Sequence, residues 1–165
     1  MLLVLAGLSL IALAGAWRGL EAIAAGHSIQ LVTGQTTIAV PRDHVLILYA
    51  GTSVQSIFKL TSECSVAYLL AAFLIASAPL MILRKLSARR TALAIAVTTV
   101  ILVVVNIVRL TAIGATVSEV GTDPGFQIAH TYLGSVLTIL GACGAGIAFA
   151  AIMVVHRKPP ANVIG

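Results

Sequence analysis

Three residues in this chain have the chemistry of acyl transfer and the sequence positions to share a site. Cys64 stands in Lys59-Leu-Thr-Ser-Glu-Cys-Ser65, at the start of an apolar stretch. Thr61 or Ser62 is suited to cap the helix that follows, which predicts Cys64 in its first turn. There the helix dipole and unpaired backbone N–H groups favour a thiolate, the nucleophilic form, with Glu63 opposing it somewhat. Arg109 lies near the end of the next apolar stretch, in Val105-Asn-Ile-Val-Arg109. Asn106, three residues earlier on nearly the same helical face, can hold the guanidinium or bond across helices. His130 opens the last stretch, in Gln127-Ile-Ala-His-Thr-Tyr132, and its near-neutral proton chemistry is what a catalytic base requires. Nucleophile, fixed cation and general base are the parts of cysteine acyl transfer, which needs no metal or organic cofactor. Taken singly, each has a plainer reading: a packing cysteine, an arginine snorkelling to lipid phosphate, an interface histidine satisfied by water.

The elements that must position these groups follow from composition. Of 165 residues, 59% are hydrophobic and 9% charged, whereas an ordinary soluble domain carries roughly 25% charged residues. Mean hydropathy is +1.09. A chain this short cannot bury so much apolar surface in water, so the composition identifies an integral membrane protein. It excludes intrinsic disorder, and two cysteines exclude a disulfide scaffold. The net charge of +5 is no sign of nucleic acid, because the charges sort by side of a membrane.

Stretches of about 18 apolar residues are candidate membrane helices. Four qualify: 2–25, 64–83, 91–113 and 129–155. Arg18 and Glu21 interrupt the first near its end, three apart on one helical face, where they can pair or Arg18 can snorkel. Residues 1–16 also carry a signal-peptide look, with Ala14-Gly15-Ala16 as the cleavage site. A missing basic n-region and apolar sequence after Glu21 favour a retained span. The link Arg84-Lys85-Leu86-Ser87-Ala88-Arg89-Arg90 and the tail residues Arg157 and Lys158 place six of the ten cations on one side, without an acid. All five acids, Glu21, Asp43, Glu63, Glu119 and Asp123, fall on the other. The positive-inside rule then predicts cytoplasmic termini, with 26–63 and 114–128 facing outward.

The outer segment has strand character. Ser28–Thr33 and Thr36–Val40 are rich in β-branched residues around Gly34-Gln35, which predicts a hairpin. The run His44–Tyr49 follows as another strand or an interfacial segment. The expected fold is therefore an all-α membrane protein: one integral membrane domain over 1–165, four transmembrane helices in a small bundle, and an outward-facing β-hairpin-like loop. Gly134, Gly141, Gly144 and Gly146 read as close-packing positions between helices.

This topology gives the three reactive residues their joint weight: they come from three spans, yet all fall at the same outer face. Other candidates carry less. Cys143, about 20 Å of helix from His130, reads as a small packing residue too distant to form a disulfide with Cys64. His27 and His44 lack metal-ligand spacing with the other candidates. Glu119 and Asp123 read as solvated loop charges. Phosphate-loop, hydrolase-serine and nucleotide fingerprints are absent from the sequence.

At these residues the chain resembles the exosortase/archaeosortase family of membrane-embedded cysteine transpeptidases. The resemblance rests on Glu63-Cys64-Ser65 opening a span, Asn106-x-x-Arg109 closing the next, His130 opening the one after, and a β-prone segment before the cysteine. It covers roughly 26–135. It implies processing, at the outer face of the cytoplasmic membrane, of secreted proteins with a C-terminal sorting tail: a short motif, a transmembrane helix and a basic end. Cys64 would be the nucleophile, Arg109 the cation at the oxyanion or substrate, and His130 the acid/base, with Asn106 supporting Arg109. Val66 stands where the family often has Gly after Cys-Ser, and many members carry extra spans. The rival class is a non-catalytic four-span accessory or scaffold protein. Transport is disfavoured, because no ionisable residue lies near the middle of a span.

Overall fold

The computed structural model describes residues 2–52, 55–83, 87–120 and 127–154. Helices dominate: α1 (Leu2–Ala12), α2 (Ala14–Thr33), α3 (Ala67–Leu83), α4 (Ala88–Val120) and α5 (Gly134–Val154). Between α2 and α3 lie three short strands, β1 (Thr37–Val40), β2 (Val45–Leu48) and β3 (Ser56–Lys59), and a one-turn 3-10 helix, Ser62–Cys64. A π-helical turn, Ala129–Leu133, leads into α5.

The Val-, Ile- and Thr-rich segments that form α4 would favour strands in water. Lipid offers no partners for an open backbone, so such a segment closes its own hydrogen bonds as a helix. Several of its hydroxyls are absorbed the same way: Thr99, Thr111 and Thr116 each donate to the carbonyl four residues back. Among the described residues, two helices are long and apolar enough to cross a membrane, α4 with 33 residues and the helix over Ala129–Met153 with 25. The expected first span is broken: α1 and α2 meet at a 68° bend. The two halves serve different neighbours. α1 packs along α3, with Gly7 close against Ile75, whereas α2 packs on α4 and the sheet. α3 is a shorter apolar helix of 17 residues. α4 runs seven residues past the expected end at 113. At about 1.5 Å per residue it exceeds a bilayer core of about 30 Å by nearly 20 Å.

The sheet corrects the expected hairpin. Ser28–Thr33 is the end of α2, not a strand. Ile29 is fully buried against Gly114 of α4, and this tertiary burial outweighs β-branched propensity. Gly34 ends the helix with φ 68°, its N–H bonded to Gln30 O at 2.9 Å. The hairpin lies one element later. β1 pairs antiparallel with β2 from Thr37↔Leu48 to Val40↔Val45, and β2 with β3 from Val45↔Lys59 to Leu48↔Ser56. The runs at 36–40 and 44–49 thus contain strands, and β3 is a third that the pattern did not predict. One sheet face, with Leu46, Leu48 and Phe58, is buried with Ala22, Ala25 and Ile29 of α2 and Leu110, Ile113 and Val117 of α4. Cys64 belongs to this same core. A second cluster, around Val66, Leu70, Leu102 and Ala145, joins α3, α4 and α5.

Candidate active site

The chain reaches Cys64 from β3 through Leu60, which is fully buried and donates its N–H to His44 O at 2.7 Å. This anchor delivers the Ser62–Cys64 turn to the junction of α2, α4 and α5. Cys64 therefore precedes α3 and does not sit in its first turn. Neither Thr61 nor Ser62 caps that helix; the Ser65 hydroxyl accepts the Ala67 N–H at 3.3 Å. The Thr61 hydroxyl turns instead to Cys64 Sγ, at 3.6 Å.

His130 comes to the same sulfur from the far end of the sequence, its Nε2 3.7 Å from Cys64 Sγ. This is the separation of a long sulfur–nitrogen hydrogen bond, fit to carry a proton between nucleophile and base. His130 lies on the π-helical turn, where the Gly134 N–H reaches back five residues to Ala129 O. Such turns insert an extra residue and re-aim side chains, and they are frequent at functional sites.

Arg109 and Asn106 share one face of α4, and both are 7% exposed. The Arg109 guanidinium lies against the start of α5: a Cβ at Gly134 would stand 3.0 Å from its Nε and 3.5 Å from Nη2. Gly134 is therefore a close-approach position, as is Gly141, whose Cβ would meet Val105 at 2.6 Å. Gly144 and Gly146 face nothing within 4 Å and are not packing contacts. Asn106 makes its bonds across helices. Its Nδ2 donates to Cys64 O at 3.1 Å and to Glu21 Oε1 at 2.8 Å.

Glu21 is the residue that sequence reasoning missed. It is 5% exposed, and its hydrogen bonds run to α4 and to the start of α3 and not to its neighbour Arg18. Its Oε1 also accepts the Val66 N–H, at 2.9 Å. The positive end of α3, which the sequence offered to a Cys64 thiolate, thus faces a carboxylate. The available signal was the cost of an acid near the end of an apolar stretch. Arg18, three residues away, offered a local partner and hid it.

Beside these groups lies a cavity of about 380 Å³. Ser62, Ser65, Asn106 and Arg109 form its polar end, and Leu69, Ala72, Leu102, Val105, Thr138 and Gly141 are among the residues lining the rest. It lies among α3, α4 and α5. Beyond its lining on both α3 and α5, Phe73 and Phe149 meet with ring centroids 6.0 Å apart. Cys64, only 1% exposed, lies between two lining residues without lining the cavity itself.

The remaining candidates fall elsewhere. Cys143 is a free thiol exposed on α5, not a packed one. His27 is exposed, and His44 bonds Gly15 O at 2.7 Å through Nε2. Glu119 is exposed near the end of α4; Asp123 lies outside the described residues. Among the described residues, no three His, Cys, Asp or Glu gather as metal ligands.

Compared with known proteins, residues 1–154 match the family model described as transmembrane exosortase. No curated protein and no solved structure matches the chain.

Proposed function

The chain belongs to the transmembrane exosortase family, and from that premise we propose that it is a membrane-embedded cysteine protease or transpeptidase. Its substrates are secreted proteins with a C-terminal sorting tail, cleaved at the outer face of the cytoplasmic membrane. The observation that carries this reading is the 3.7 Å approach of Cys64 Sγ to His130 Nε2, with Arg109 buried on the wall of the adjoining cavity. Orientation rests on charge: the cation-rich link at 84–90 and the residues Arg157 and Lys158 stay inside, so the opposite end, with the site, faces out. In this arrangement α1 and α2 together, α3, α4 and the α5 segment make four passes, and both termini are cytoplasmic.

The substrate's tail helix docks from the lipid into the cavity among α3, α4 and α5, where the exposed Ala72 leaves room for a helix or extended chain to approach. Its cleavage motif then lies at the polar end, beside Ser62 and Ser65. Opening of the Ser62–Cys64 turn exposes the sulfur. His130 takes the Cys64 proton and the thiolate attacks the scissile carbonyl carbon. Arg109 offsets the charge gathering on the carbonyl oxygen, a contact worth about 10²–10³ in rate in a dehydrated site. Collapse breaks the C–N bond, His130 returns its proton to the leaving amine, and a Cys64 thioester remains. His130 then deprotonates the incoming water, amine or lipid head group, which displaces the thiolate. Water gives a hydrolysed C-terminus; the other acceptors give transfer.

The test is co-expression with tagged proteins bearing candidate sorting tails, comparing wild type with Cys64→Ala by intact mass. Cys64-dependent loss of the tail is expected, and the mass of the new C-terminus identifies the acceptor. Intact tails throughout, with Cys64 no more reactive to alkylation than an ordinary thiol, would return the chain to the accessory class.

A further inference from the structure

The proposed reaction makes no use of the buried acid at its side, yet that acid bonds the backbone two residues after the nucleophile. Glu21 Oε1 takes two donors: the Val66 N–H at 2.9 Å, on the C-terminal side of Ser65, and Asn106 Nδ2 at 2.8 Å. The same Asn106 nitrogen holds the Cys64 carbonyl at 3.1 Å, on the N-terminal side of Ser65. One carboxylate from α2 and one amide from α4 thus pin the backbone on both sides of Ser65. The geometry points to Glu21 as a positioning residue that, through Asn106 and the Val66 N–H, fixes the Cys64–Val66 backbone so that Sγ meets His130. The inference rests on the reading of Cys64 as nucleophile and His130 as its base.

Three features suit a carboxyl group here. A carboxyl oxygen accepts several hydrogen bonds at once. The group lies at the N-terminal end of α3, where unpaired N–H groups need acceptors. The Trp17 and Ser65 side chains are also turned toward it, while its second oxygen is buried beyond direct hydrogen-bond reach of a partner among the described residues. Glutamine can keep its oxygen on Asn106 and Val66 only by placing an NH2 group where the second oxygen lies, which adds a donor that this buried place must then satisfy.

The test is a reactivity cycle in the full-length protein, carrying Cys143→Ser so that Cys64 is the sole thiol. The rate of Cys64 alkylation by iodoacetamide is measured with and without His130→Ala, both in the protein that keeps Glu21 and in the Glu21→Gln variant. With Glu21, removal of His130 is expected to slow alkylation about tenfold or more. In the Glu21→Gln variant the same removal is expected to change it less than about twofold, because the sulfur no longer meets the ring. A general loss of fold would raise alkylation in both; uncoupling alone changes the ratio. Equal His130 dependence in the two backgrounds overturns the inference. If E21Q does not accumulate, Asn106→Ala takes its place: it removes the Cys64 carbonyl anchor while leaving the Glu21–Val66 bond, and retained His130 dependence there is equally fatal. The cycle uses no sorting tail. Absent tail processing by wild type therefore counts against the proposed substrate, and an unaltered cycle counts against Glu21.

Discussion

Glu21 and Asn106, 85 residues apart in the chain, share a 2.8 Å hydrogen bond that ties the first bent helix pair to α4 beside the Cys64 turn. Both side chains are buried. The bond makes Asn106 a link between the bundle and the nucleophile's backbone, the bonding across helices that its place on α4 allowed.

Replacing Asn106 by Leu keeps the side chain's bulk but removes the donor from both Glu21 and Cys64 O. A buried acceptor left unsatisfied costs about 1–3 kcal/mol. The detergent-solubilised variant should unfold at a lower temperature than wild type and lose most tail processing. An unchanged midpoint would mean that these bonds are not formed in the folded protein.

Gly134→Ala probes Arg109 without touching it. The added methyl would stand 3.0 Å from the guanidinium Nε, tighter than normal contact, so the arginine must move by a few tenths of an ångström. Tail processing should fall about tenfold, since small misplacements at a reacting centre are costly. The matched control is Gly144→Ala, where nothing lies within 4 Å; it should process tails as wild type does. Equal activity in the two variants would remove Arg109 from the reaction.

What the sequence made legible was the set of groups that an apolar chain must account for. Cys64, Asn106, Arg109 and His130 stood out because polar residues near the ends of long apolar runs are costly wherever they lie. Of these, Cys64 with His130 and Cys64 with Asn106 are in direct contact, while Arg109 lies against Gly134 and the cavity. Glu21 stayed hidden because a local reading satisfied it with Arg18; its true partners are 45 and 85 residues away. The 28–33 segment was misread for a related reason. Its β-branched residues are a local signal, and the burial of Ile29 on Gly114 that keeps it helical is not. The cap of α3 was misplaced by a few residues, a small error in sequence that moves Cys64 from a helix terminus to a turn of its own.

Gly34→Ala separates fold from site. Gly34 ends α2 with φ 68° and has open space where a Cβ would go, so the cost of alanine is one of backbone conformation. That cost is about 1–2 kcal/mol. Thermal stability should drop accordingly, while tail processing at permissive temperature stays unchanged, because the residue lies more than two helical turns from Glu21. A selective loss of processing would show that the end of α2 is part of the substrate's path.

The cavity makes the sharpest demand on the docking reading. Ala72 lies on its wall and is exposed, so a larger side chain there can extend into free space without disturbing the buried clusters. Ala72→Phe should therefore insert and fold as wild type does. Alkylation of Cys64 by a small reagent should keep its rate and its dependence on His130, because neither residue lines the part that is filled. Tail processing should fall about tenfold or more, since a helix displaced by even an ångström loses its alignment with the sulfur. A wider tail helix should suffer more than one built from small residues, and a tail with Gly or Ala at the contacting positions should recover part of the rate. If Ala72→Phe processes every tail at the wild-type rate, the substrate does not approach through this cavity, and the path to Cys64 must lie on the sheet side.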